Sequence, residues 1–162
     1  MPTARKTKAR RRAPDDDLPS VAASWRYIES SALVAAIVER DADAAAQISE
    51  IGQRATSALT LAEASRAVIR ARVAGRLTPR EERSALRVLH RFEQRCLAIA
   101  VSREILERAA KPFPAEPVRT LDAIHLATIE SLGETPQLVT VVTRDARVAR
   151  NARALGYAVA PE

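Results

Sequence analysis

The chain has 162 residues, 47% of them hydrophobic and 28% charged, the balance of one soluble globular domain able to bury a sizeable core. The net charge of +6 is concentrated in residues 1–13: removing Arg5, Lys6, Lys8, Arg10, Arg11 and Arg12 from the 26 basic residues leaves 20, equal to the 20 acids, which excludes an overall basic field. Cys96 is the only cysteine, which excludes an internal disulfide and a cysteine-rich zinc site and fits a reducing cytosol.

Residues 1–24 are rich in Arg, Pro, Asp and Ser and too poor in apolar groups to offset the entropy of ordering, so a disordered basic arm is expected there. Such an arm attracts RNA only through salt-dependent phosphate contacts, and it reads equally as a solubilising extension. Pro14-Asp15-Asp16-Asp17 interrupts it, and the first strongly apolar run, Ala32 to Val38, is too short and too late for an export signal or a span. A cytoplasmic protein without a membrane segment is expected, its folded domain covering residues 25–162.

From Trp25 onward, β-prone runs alternate with helical ones, the pattern of parallel strands with helical crossovers. Strands are predicted at Trp25 to Glu29, Ala55 to Ala58, Leu97 to Val101, Leu138 to Val142 and Tyr157 to Ala160. Helical stripes cover Leu59 to Ala74 and Leu121 to Leu132, with Gly75 and Gly133 placed as C-terminal caps. Thr78-Pro79-Arg80-Glu81 combines an N-cap, a proline at the first helical position and a capping-box acid. The two helices over Thr60 to Arg95 therefore form a hairpin inserted between strands, with a packing face to offer a second subunit.

Glu29, Glu63 and Asp145 fall at strand-to-helix junctions, and Asp122 lies one turn into a helix that does not directly follow a strand, so that its place with the other three rests on the resemblance its motif carries. A parallel sheet ends all its strands at one edge, so residues there share a crevice. Carboxylates crowded within a few Å raise one another's pKa unless a cation joins them, and a divalent ion is the simplest such cation. Each acid also has a plainer reading. Thr60 to Glu63 spells a capping box, and Asp122 and Asp145 sit where a negative charge favours a helix start. Glu29, ending an apolar Tyr27-Ile28 strand before Ser30 and Ser31, is the hardest to explain as a cap.

Tyr27-Ile28-Glu29-Ser30-Ser31-Ala32-Leu33-Val34, Thr60-Leu61-Ala62-Glu63, Arg119-Thr120-Leu121-Asp122-Ala123-Ile124-His125-Leu126-Ala127 and Val142-Thr143-Arg144-Asp145 together resemble the PIN-domain nucleases, particularly the VapC-like toxins. The likeness runs in matching order from about Trp25 to Ala160, and its third motif is the most specific. The resemblance implies an α/β class fold, a three-layer α/β/α sandwich around a central parallel sheet. It implies a Mg2+ or Mn2+ site with Glu29, Asp122 and Asp145 as ligands and Glu63 positioning water or a second ion. It further implies endoribonuclease activity on RNA, a homodimer, and a small antitoxin that inhibits by occupying the site.

Ser31 and Thr143 match small hydroxyl positions of the family, where they either bind the carboxylates or a substrate phosphate or serve as caps. His125 is expected as a packed histidine behind the acids, and His90 as structural. Arg119 and Arg144 flank two of the acids; they read either as phosphate contacts or as solvated helix-end arginines. Five aromatics, scattered, give no stacking platform for single-stranded bases. The family's first acid is usually Asp, and here it is Glu29, one methylene longer. That departure keeps open an RNA- or protein-binding module with weakened catalysis. A receiver-like signalling domain fits poorly, since Leu97 to Val101 ends in Ser102 and Lys111 is the only lysine beyond the arm.

Overall fold

The computed structural model describes residues 24–161. All of the expected arm except Ser24 lies outside that range, and the Ser24 carbonyl accepts from the Gln53 N–H at 2.9 Å. Five parallel strands, β1 (Trp25–Ile28), β2 (Gln53–Ser57), β3 (Leu97–Ile99), β4 (Val139–Val142) and β5 (Ala158–Ala160), form one sheet in the order β3-β2-β1-β4-β5. The helices are α1 (Ser30–Val34), α2 (Ala42–Ser49), α3 (Ala58–Val73), α4 (Pro79–Glu93), α5 (Arg103–Ala109), α6 (Thr120–Glu130) and α7 (Ala146–Ala154).

Alternation along the strands separates two cores, as a sheet covered on both faces requires. Tyr27, Val139 and Val141 face one way and pack with Ile105 of α5, Leu126 and Ile129 of α6, and Val148 and Ala152 of α7. Ile28 and Val142 face the other way, against Leu33 of α1, Ile48 of α2, Ala64 of α3 and Leu89 of α4. The result is the expected three-layer α/β/α sandwich. The α3–α4 hairpin stands between β2 and β3, as its caps predict, and adds its own small core of Val68, Ala71, Leu77 and Ala85.

Gly75 ends α3 at φ 72°, a conformation that a Cβ would strain. There the Arg76 N–H reaches Ala71 O (2.9 Å) and the Gly75 N–H reaches Arg72 O (3.1 Å), closing the last turn. Thr78 then starts α4 with both halves of a capping box: Glu81 N–H donates to Thr78 Oγ1 (3.2 Å), and Thr78 N–H donates to Glu81 Oε2 (2.8 Å). Thr78→Ala is expected to destabilise the protein by about 1 kcal/mol in urea unfolding; an unchanged midpoint would contradict the cap. Hydrogen bonds from the Thr78 backbone and side chain, and from Arg40, pull the Glu81 carboxyl from 4.5 down to about 2. Because the folded value is depressed, this stabilisation is present above about pH 4.5 and fades as pH falls toward 2. Amide exchange at the start of α4 should accelerate across that window in the wild type but not in Glu81→Gln.

Two local expectations are corrected. β2 and α3 meet without a loop, and Ser57, not Thr60, caps α3 through the Leu59 N–H (3.2 Å), so the Thr60 to Glu63 capping box does not form. Beyond α1 the helix widens into a π turn (Ala35–Glu39), stops at Arg40 in the left-handed region, and restarts as α2. Asp41 caps this restart by accepting from Asp43 N–H and Ala44 N–H.

Candidate active site

The chain steps outward from β1 to β2 and β3, then returns to lay β4 on the opposite side of β1. The helices that follow β1 and β4 therefore leave on opposite faces and open a crevice at the strand ends, where ligands of open α/β sheets bind. Glu29 stands directly after β1 at this switch point, with its N–H bonded to Val142 O of β4 (3.0 Å). Thr143, Arg144 and Asp145 follow β4 directly across from it.

Glu29 is 3% exposed and is the N-cap of α1, so capping explains part of its role after all. Its Oε2 accepts from Ser31 N–H (3.0 Å), from Thr143 Oγ1 (2.8 Å) and from Ser31 Oγ, and its Oε1 accepts from Ser30 Oγ (2.5 Å). The two hydroxyls are held in turn, Ser31 Oγ by the Arg144 N–H (2.7 Å) and Thr143 Oγ1 by the Asp145 N–H (3.0 Å). The backbone after β4 thus orients the donors that fix the carboxylate after β1. Ser31 and Thr143 both donate to the Glu29 carboxylate.

Glu63 extends from the second turn of α3 to meet His125 of α6, with Oε2 2.8 Å from Nε2. The same Nε2 lies 3.6 Å from Glu29 Oε1, and Nδ1 is 3.0 Å from the Tyr27 hydroxyl. Burial first, then the nearby Glu29 charge, pushes the Tyr27 phenol well above its ordinary range. It keeps its proton; the Glu63 carboxylate can only accept, which places a His125 hydrogen on Nε2, and in a neutral ring Nδ1 then accepts from the Tyr27 hydroxyl. Burial raises the Glu63 pKa, but the hydrogen bond from His125 and the nearby Arg70 charge outweigh it and hold the carboxyl below its ordinary range. Glu29, Glu63 and His125 each offer a ligand atom, all within 4.8 Å of one another.

Asp122 and Asp145 are brought together differently, by a residue that the sequence reading did not single out. Arg147 Nε donates to Asp122 Oδ2 (2.9 Å), and its Nη2 donates to Asp145 Oδ2 (3.0 Å). Asp145 is the N-cap of α7, its Oδ1 accepting from the N–H groups of Arg147 (2.7 Å) and Val148 (3.3 Å). Its spacing two residues after Asp145 was the only signal for Arg147, and that spacing alone does not reveal a bridge to a separate helix. Arg144 is drawn away from the crevice, bonded to Gln47 Oε1 (2.8 Å) and Asp41 Oδ2 (3.2 Å). Arg119 is the N-cap position of α6 and makes no side-chain cap bond. The loop before α6 is pinned by buried Asn151, which accepts from Ala115 N–H (2.9 Å) and donates to Ala115 O (3.1 Å).

The carboxylate oxygens of Glu29 and Glu63 suit a hard divalent cation, whereas both His125 ring nitrogens are already committed, Nε2 to Glu63 and Nδ1 to Tyr27. Octahedral Mg2+ at about 2.0 to 2.1 Å from its ligands sets them at most about 4.2 Å apart, so the Glu29 and Glu63 carboxylates, with oxygens within 4.8 Å of each other, need only a small closure. Two surface grooves of about 490 and 540 Å3 include none of the four acids. Among the described residues no helix is long and apolar enough to cross a membrane.

The PIN domain family profile matches residues 26–154. A protein named Ribonuclease VapC35 from Mycobacterium tuberculosis is 36% identical over 137 residues, covering 82% of this chain and 93% of the relative. Ribonuclease VapC46 from the same species is 35% identical over 135 residues, covering 82% and 94%. With the fold, the family match and relatives that span most of both chains in agreement, this chain belongs to the PIN-domain family as a VapC-like member.

Proposed function

We infer that the protein is a metal-dependent endoribonuclease, the toxin of a toxin-antitoxin pair, hydrolysing RNA phosphodiester bonds at the crevice between β1 and β4. The observation that carries this reading is the pairing of acids at the strand ends, Glu29 with Glu63 beside His125 and Asp122 with Asp145 beneath Arg147. The two relatives named as ribonucleases, similar over most of their length, support the same chemistry.

In this reading Glu29, Asp122 and Asp145 hold Mg2+ or Mn2+, and Glu63 orients the attacking water. The ion when bound lowers the pKa of a water and offsets charge developing on the phosphate. Glu29 is held still for this by Ser31 and Thr143, whose hydroxyls are themselves fixed by backbone N–H groups. Tyr27 sets the His125 ring, and His125 keeps Glu63 ionised and aimed, an outer arrangement of the sort that orients ligands and tunes their basicity. The Arg144 side chain, committed to Asp41 and Gln47, is not available to a phosphate at this site without breaking those bonds.

The partners belong to the same proposal: an RNA substrate, a small cognate antitoxin and a second copy of the chain, in the cytoplasm. One observation favours a second reading, a binding module without cleavage. The Glu29 carboxylate already accepts four hydrogen bonds within the protein, three of them on Oε2, so that only Oε1 keeps a lone pair for a cation. RNA cleavage by antitoxin-free protein with Mn2+ or Mg2+, lost in EDTA and in Asp122→Asn, is the expected result. A well-folded wild type inert toward several RNAs with both ions would favour the binding module.

A further inference from the structure

Asp145 has one oxygen committed to the α7 backbone and one held by Arg147. Oδ1 takes two N–H groups that cannot leave without unwinding the first turn of the helix. Oδ2 is therefore the atom free to bind a cation, and it is the atom on which the Arg147 guanidinium rests. The same guanidinium takes Asp122 Oδ2 through Nε, so one positive group spans two carboxylates from different helices. Asp122 first, then both aspartates, raise the Arg147 pKa further, so it is charged throughout. Its side chain is 36% exposed, so it can leave its partners for solvent without crossing the core.

Resting on the metal-nuclease reading, we propose that Arg147 is a built-in counter-ion of the metal-free site, holding Asp122 and Asp145 until a divalent cation displaces it. The guanidinium and the cation use the same oxygen atoms, so they compete. The apparent metal affinity is then the intrinsic affinity reduced by the fraction of molecules in which Arg147 has swung away. In return, the metal-free protein is spared two unneutralised carboxylates at one crevice edge. Arg147 is a positioning residue in this account.

Calorimetric Mn2+ binding and thermal melts in EDTA, on wild type, Arg147→Met, Arg147→Lys and the Arg147→Met/Asp122→Asn pair, test it. If the Arg147-bound state outweighs the open one about ten to one, Arg147→Met binds Mn2+ about tenfold more tightly than wild type, and Arg147→Lys falls between them. In EDTA, Arg147→Met melts below wild type, and adding Asp122→Asn restores part of the loss because the repulsion is removed. Mn2+ binding by wild type with equal or weaker binding by Arg147→Met would overturn the inference while leaving the metal site standing. Absence of Mn2+ binding in both wild type and Arg147→Met would overturn the metal reading and this inference together. Should Arg147→Met not fold, Arg147→Lys reads the same competition.

Discussion

Glu29→Gln is expected to lower RNA cleavage by roughly 10²-fold or more while leaving the protein folded. The substitution removes the charge and keeps the shape. The amide oxygen can replace Oε2, which faces the fixed Ser31 N–H and the Thr143 and Ser31 hydroxyls. The amide nitrogen then takes the place of Oε1, where Ser30 can rotate its hydroxyl to accept instead of donate. Unfolding should therefore show a cooperative transition near the wild-type midpoint, and a collapse of the fold would show that the charge itself holds β1 and β4 together. Glu29→Asp is the informative companion. A carboxylate one methylene shorter withdraws from Thr143 and from the His125 side, so its activity should fall below that of wild type. A large gain from Glu29→Asp would instead mark the native residue as a weakened ligand and favour the binding-module reading.

Leu126→Ala is expected to destabilise the protein by about 3 kcal/mol, a substantial part of the roughly 5 to 15 kcal/mol that holds a domain together. Leu126 is fully buried in the core beneath the sheet, among Tyr27, Val139, Val141 and Ile129, and removing three carbons there leaves a cavity with little freedom to collapse. Urea unfolding should show the lower midpoint with an unchanged slope. A loss under about 1 kcal/mol would mean that α6 packs more loosely than its burial indicates. Because α6 also carries Asp122 and His125, this variant should weaken the site only through the fold, unlike Glu29→Gln.

How much of this was legible in the sequence depends on the range of the interaction involved. The hairpin over α3 and α4 was readable because its signals are local: Gly75 supplies a left-handed turn and Thr78 with Glu81 closes a capping box within four residues. The strand positions were readable from apolar, β-branched runs such as Val139 to Val142, although β2 starts two residues before the predicted Ala55. The α3 boundary was misplaced because both Ser57 and Thr60 can cap, and only the direct run of β2 into α3 decides between them. α2 went unassigned because the π turn and Arg40 break the helical period just before it.

The crevice was legible as a consequence of topology, but the division of the acids within it was not. That Glu29 and Glu63 meet at His125, whereas Asp122 and Asp145 meet at Arg147, depends on side chains brought together from distant segments. Ser31 and Thr143 lie 112 residues apart in sequence, yet their hydroxyls share one carboxylate oxygen. No periodicity encodes such a pairing; it follows from β1 and β4 lying side by side in register.

Crystals of the protein soaked in Mn2+ and measured for anomalous scattering would locate the cation and Arg147 together. A manganese peak is expected in the crevice, bonded to Glu29, Asp122 and Asp145, with Arg147 displaced from both aspartates. An empty crevice at saturating Mn2+, with Arg147 still bridging Asp122 and Asp145, would contradict it.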